Sequence, residues 1–186
     1  MKKCTVLVLV LLLLSGCSGI PDEMKTGMEL RSQLLQAAGC SFTAKITADY
    51  GDKIHTFTMN CQADSKGDTT FTVMEPDSIS GITGKLSGTG GKLTFDNTAL
   101  CFELISDEQL SPVSAPWILI NTLRSGCMMS ACKEEDSLRL SIDDSYEEDP
   151  LRLDIWLNSE NLPEQADILY DGRRILSVSV MNFELL

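Results

Sequence analysis

Ser41-Phe42-Thr43-Ala44-Lys45-Ile46-Thr47-Ala48-Asp49-Tyr50-Gly51-Asp52, with Thr56-Phe57-Thr58-Met59-Asn60-Cys61 close behind it, alternates apolar and polar side chains at a period of two. Successive side chains of a β-strand point to opposite faces, so each segment predicts a strand with one apolar face. Gly51-Asp52 between them is turn chemistry, and the pair reads as an antiparallel hairpin.

The same rhythm continues downstream. Ser65-Lys66-Gly67-Asp68 is a second turn, and the strand Thr69 to Glu75 sets Phe71 and Val73 on one face before Pro76-Asp77 breaks it. Ile79, Ile82 and Leu86 follow, then the turn Gly88-Thr89-Gly90-Gly91, a strand Leu93 to Phe95, a turn Asp96-Asn97 and a strand Leu100 to Leu104. Upstream the period is different. Met24, Met28, Leu30, Leu34, Leu35 and Ala38 recur at spacings near three and four, predicting a helix over 22–38 that stops at Gly39. A second helix spans 116–126, with Pro116 at its start and Gly126 just past its end. Strands resume at 128–132, 138–142, 151–157, 166–170 and 175–183. The fold class is mainly β with helices (α+β): about ten or eleven antiparallel strands and two helices.

The amino terminus carries a different signal. Met1-Lys2-Lys3 precedes an uncharged run from Thr5 to Leu14, which is the pattern of an export signal. A membrane-spanning helix needs roughly 20 apolar residues, so the run is too short to stay in the bilayer. Leu14-Ser15-Gly16-Cys17 resembles the bacterial lipobox, with small residues that let a peptidase approach the backbone. That resemblance implies diacylglycerol on Cys17 and cleavage before it; the competing reading is an ordinary secretory signal with a chance cysteine. The expected organisation is a signal peptide at 1–16, a lipidated tether at 17–22 and one domain at 23–186, anchored in the cell membrane on its extracytoplasmic face. Two acyl chains suffice for stable anchoring.

Loss of Lys2 and Lys3 with the signal moves the net charge from −12 to −14. Such a surface repels nucleic acid and anionic headgroups, which excludes a nucleic-acid partner and leaves the lipid as the membrane contact. Five cysteines remain after Cys4 and Cys17 are set aside: Cys40, Cys61, Cys101, Cys127 and Cys132. An odd number cannot all pair in one chain. Cys127 and Cys132 are spaced to bridge a hairpin in an oxidising compartment, and buried reduced thiols account for the cysteines equally well.

Catalysis has no visible basis. There is no G-x-S-x-G, H-E-x-x-H or P-loop, and the one histidine, His55, sits in a predicted strand. No metal site and no cofactor are expected. The acidic runs Lys133-Glu134-Glu135-Asp136 and 143–149 lack the spacing and glycine of a calcium loop and read as solvated turns between strands. Arg173-Arg174 is a basic spot in the last turn that could meet an acidic partner.

Several of these segments, taken in order, resemble the LolA/LolB-like lipoprotein-carrier superfamily, and within it GerS-like germination lipoproteins of clostridia. The resemblance is carried by the early helix, by Phe71-Thr72-Val73-Met74-Glu75-Pro76 with Ile79-Ser80-Gly81-Ile82-Thr83-Gly84, by Leu119-Ile120-Asn121-Thr122-Leu123, and by Leu162-Pro163-Glu164-Gln165-Ala166-Asp167-Ile168 ahead of Asp171-Gly172-Arg173-Arg174. It implies a strongly curved, incomplete barrel closed on its concave side by a helical lid, with a cavity suited to a lipid or other apolar ligand. On alternation, Phe57, Met59, Phe71, Val73, Leu86, Leu93 and Phe102 are candidate lining residues, with Trp117, Ile118 and Leu119 from the lid; a stripe of this kind is more often plain core than a ligand site. The implied function is a membrane-anchored binder or carrier of an apolar ligand. The alternative is a non-catalytic module that regulates an extracytoplasmic protein such as a cell-wall hydrolase. A chain that keeps its own anchor departs from the soluble carriers, so shuttling between two membranes does not follow.

Overall fold

The hairpin read from residues 41–61 forms as two eleven-residue strands, β1 (Gly39–Asp49) and β2 (Ile54–Asp64). Phe42 stands opposite Cys61, Ala44 opposite Met59 and Ile46 opposite Phe57, so both apolar stripes share one face. The computed structural model describes residues 20–186 apart from 97, 104, 107, 108 and 146–150. The signal peptide, Cys17 and the first residues of the tether lie outside the described residues, as do the acidic residues 147–149.

The meander continues through β3 (Thr69–Glu75), β4 (Thr83–Ser87), β5 (Gly90–Phe95) and β6 (Thr98–Phe102). A two-residue pair, β7 (Ile105–Ser106) and β8 (Gln109–Leu110), leads into a short turn of 3-10 helix at Pro112–Ser114. The second half comprises β9 (Cys127–Glu134), β10 (Ser137–Asp143), β11 (Leu151–Leu157), β12 (Pro163–Tyr170) and β13 (Arg173–Leu185). Eleven strands form one antiparallel sheet in the order β6-β5-β4-β3-β2-β1-β13-β12-β11-β10-β9. The sheet is curved and does not close, leaving β6 and β9 as its edges. Register shifts interrupt the ladders β1/β13, β9/β10, β11/β12, β12/β13 and β2/β3. Each such bulge bends its strand and increases the local twist, which supplies the curvature.

Helix α1 (Asp22–Gln36) stops two residues before the predicted end, because Ala37 turns to extended backbone and Ala38 donates its N–H to the Leu186 carbonyl. Helix α2 (Ala115–Ser125) is apolar on most sides, and it is buried on most sides: Ala115, Pro116, Ile118, Leu119, Ile120 and Leu123 are all core. Both helices pack on the concave face, α1 against β9 and β10 and α2 against β2 and β10. Gly27 of α1 lies against Met128 and Leu140, where a Cβ would stand 2.8 Å from the Met128 sulfur.

Two arginines tie the helices together. Arg31 of α1 donates from Nε to the Leu123 carbonyl and from Nη2 to the Gly126 carbonyl, both at 2.7 Å, satisfying the end of α2. Arg124 of α2 donates to the Leu34 carbonyl of α1 (2.8 Å) and to the Ser65 carbonyl in the β2–β3 turn (2.7 Å). The Tyr50 hydroxyl holds the approach to α2 by donating to the Leu110 carbonyl at 2.8 Å. No helix among the described residues is long and apolar enough to cross a membrane.

Candidate functional site: the concave face

Two rows of side chains cross the concave face of β1 to β6. One runs Phe42, Cys61, Phe71, Gly84, Leu93, Leu100, each opposite the next in register; the other runs Cys40, Ala63, Thr69, Leu86, Gly91, Phe102. Large rings stand beside glycines in both rows. A Cβ on Gly91 would fall inside the Phe102 ring, and one on Gly84 would collide with Phe71. The glycines make room on this face for aromatic rings lying across the sheet.

All ten candidate lining residues belong to this concave surface or to the helix that covers it. Phe57, Met59, Phe71, Val73, Leu86, Ile118 and Leu119 are buried in one apolar cluster, while Leu93, Phe102 and Trp117 are partly exposed and pack against its margin. The cluster is dense under α2 and thins toward β6. Leu100 is 62 % exposed and Phe95 55 % exposed, although both point to the same face as Leu93 and Phe102. Leu100 and Phe95 were missed as candidates, yet each sits two residues from one (Phe102 and Leu93), where alternation alone places it on the apolar face.

The opposite face is polar. A groove of about 740 Å³ over β1 to β5 is lined by Asn60, Thr70, Thr72, Thr83, Lys85 and Lys92 among others. On β11 and β12, Asp154 and Asp167 stand directly opposite one another, an arrangement that is unfavourable for like charges unless both are compensated. Both are: Ser141 and Ser177 donate to one oxygen of each (2.6 and 2.7 Å), and Arg139 and Arg174 approach the other (3.4 and 3.2 Å). Arg174 is therefore occupied within the sheet, and Arg173 lies 3.9 Å from Asp49.

One residue in each acidic run, Glu134 and Asp144, is held by side-chain donors. Glu134 accepts from the Trp156 indole N–H and from Arg139, both at 2.9 Å, and these donors hold its carboxyl below the usual range. Asp144 is buried and accepts from the Thr122 hydroxyl at 2.5 Å. Among the described residues no group of three or more His, Cys, Asp or Glu could hold a metal ion. His55 is exposed on β2.

All five described cysteines are free. The hairpin bridge between Cys127 and Cys132 is corrected: both lie on β9, Cys127 opposite Asp143 and Cys132 opposite Arg139, so they stand near opposite ends of one strand. Burial pushes the Cys40 thiol up to about 11, and burial with Cys40 nearby pushes Cys61 higher still. These two are protonated core groups.

No sequence-family model and no curated protein matches the chain. Solved structures do. A Vibrio parahaemolyticus domain described as an outer membrane lipoprotein-sorting protein superposes with a TM-score of 0.51 at 9 % identity, over 88 % of this chain and 92 % of that one. The two share a fold. A LolA superfamily protein of Nitrosomonas europaea gives a TM-score of 0.46 at 9 % identity, over 86 % of this chain and 93 % of that one. A chain in the structure of the Clostridioides difficile CwlD amidase in complex with the GerS lipoprotein gives 0.44 at 12 % identity, over 91 % and 99 %. At these identities the likeness concerns architecture, and function rests on the site itself.

Proposed function

We propose that the protein is a membrane-anchored extracytoplasmic lipoprotein, held by lipid on Cys17, that binds a lipid or other apolar ligand at the open end of the concave face. One observation carries this reading: Leu93, Phe95, Leu100 and Phe102 form a contiguous apolar patch left partly uncovered beside an otherwise buried cluster. Contiguous exposed apolar surface of this kind marks ligand or partner sites. Leu93, Phe102 and Trp117 then line the opening, and Phe57, Met59, Phe71, Val73, Leu86, Ile118 and Leu119 form its floor. Binding of this sort needs no catalytic group.

The test is native mass spectrometry with solvent extraction on the Cys17→Ser protein, followed by titration with a fluorescent fatty acid. A stoichiometric apolar ligand, and weaker uptake by Leu100→Asp, supports the reading. An empty protein that takes up no fatty acid sinks it. The second reading, a non-catalytic module that docks an extracytoplasmic protein such as a cell-wall hydrolase, is favoured by the tight burial of seven of the ten lining candidates.

A further inference from the structure

Like charges directly opposite one another destabilise a pair of strands unless they are compensated. Asp154 and Asp167 are compensated, by two serines and two arginines. Lys85 of β4 and Lys92 of β5 also stand directly opposite one another, and they are not. Lys85 meets Asp68 at 3.0 Å in an exposed ion pair, which solvent screens and another anion can displace. Lys92 is exposed and has no ion pair or side-chain hydrogen bond among the described residues.

This lysine pair lines the polar groove of about 740 Å³ on the convex face. The chain has 27 acidic and 15 basic side chains, yet the described lining of the groove includes both lysines and no carboxylate. The lysines end a row that runs Gln62, Thr70, Lys85, Lys92 across β2 to β5, each opposite the next. The row beside it runs Asn60, Thr72, Thr83, Thr94. Gln62, Thr72 and Thr94 make no side-chain hydrogen bond among the described residues, which leaves one amide and two hydroxyls for a ligand. Neighbouring strands lie about 4.8 Å apart, so either row extends over roughly 14 Å.

Charge and size define that ligand. Two adjacent ammonium groups match a phosphate monoester, which carries a charge of about −2 and three acceptor oxygens. A carboxylate, with a single charge, would leave one lysine uncompensated. Screening confines the field of the pair to about 8 Å, so a small anion in the groove meets the lysines, while a long polyanion runs onto the acidic remainder of the surface. We propose that the groove binds a small sugar phosphate, with the phosphoryl group between Lys85 and Lys92 and the sugar hydroxyls over Gln62, Thr72 and Thr94. Lys85 exchanges Asp68 for the phosphoryl group. The site lies on the face opposite Leu100 and Phe102, and it does not depend on the apolar-ligand reading.

The experiment is isothermal titration calorimetry of the Cys17→Ser protein at physiological ionic strength, with glucose 6-phosphate, glucose and inorganic phosphate as probes. Saturable binding of glucose 6-phosphate that weakens about tenfold or more in Lys92→Gln and tightens in Asp68→Asn, which frees Lys85, supports the proposal. Lys53→Gln, which removes the same charge from the exposed β1–β2 turn, is expected to leave it unchanged. Equal weakening in Lys53→Gln means long-range charge attraction alone and overturns the proposal, as does no binding to the parent protein. Inorganic phosphate bound as tightly as glucose 6-phosphate shows an anion site with no sugar subsite and also overturns it. Phosphatidylglycerol vesicles captured by the parent and not by Lys92→Gln, without binding of glucose 6-phosphate, give the groove to a lipid headgroup and overturn it as well. Fatty-acid uptake is expected to survive Lys92→Gln, so the two readings fail separately.

Discussion

The ring of Phe71 lies over Gly84, its direct cross-strand partner: a Cβ on Gly84 would stand 2.5 Å from Phe71 Cε1 and 3.0 Å from the Lys92 carbonyl oxygen. One side is a ring packed in the core and the other is backbone, so neither yields cheaply. Gly84→Ala is expected to destabilise the domain by about 1–3 kcal/mol in urea unfolding, the range for overpacking a core. Gly88→Ala is the control. Its nearest contact is 3.8 Å from Trp117, and a shift below about 0.5 kcal/mol is expected there.

The reciprocal clamp of Arg31 and Arg124 makes a second prediction. Arg31→Ala strips the Leu123 and Gly126 carbonyls of a charged donor, at a cost of about 1–3 kcal/mol. Lysine does not restore it, because only the guanidinium fork reaches two carbonyls at once. Thermal unfolding of Arg31→Ala, Arg31→Lys and Arg124→Ala checks this; a lysine variant as stable as the parent would refute it.

The thiols divide by environment. Cys101, Cys127 and Cys132 are exposed, and Cys40 and Cys61 are buried with raised pKa. Mass spectrometry after maleimide treatment of a Cys17→Ser protein made without residues 1–16 is expected to show three labels in the native state and five in urea. A native label on Cys61 would contradict the packing described.

Stability is expected to fall on the acid side. Glu134 has its folded pKa lowered, chiefly by the Trp156 indole and then by Arg139, and Asp143 is lowered by Ser145. A depressed carboxyl contributes stability above its unfolded pKa, and that contribution is lost as pH falls through the folded value. The melting temperatures of the parent and Glu134→Gln should therefore differ near neutrality and converge below about pH 4. A gap that widened in acid would reverse the assignment.

Most of the fold was legible because period-two alternation survives wherever one face is buried. The stripes Phe42-Ala44-Ile46 and Phe57-Met59-Cys61 gave their strands and their shared face directly. The pair β7/β8 was not legible, since two residues are too few to show a period. The bulge at Met128 and Met129 was hidden as well. It brings Cys127 and Cys132 to the same face despite their odd spacing, and only the register reveals that they are partners of Asp143 and Arg139. At the site, alternation found the apolar face but not its degree of cover. Leu93 and Leu86 look alike in sequence; the first lies at the open margin and the second at the closed centre. Cover depends on where α2 lies, which is a long-range matter.

Strand β13 sits in the middle of the sheet, between β1 and β12, though it is the last strand of the chain. Until it is in place, β6 to β1 and β12 to β9 are two unconnected half-sheets, each with a long bare edge. Contacts so distant in sequence make for slow folding. A chain synthesised amino end first holds both edges open until β13 has arrived. That interval is when chaperones, proteases and misassembly compete for it, so β13 acts as the latch that joins the two half-sheets.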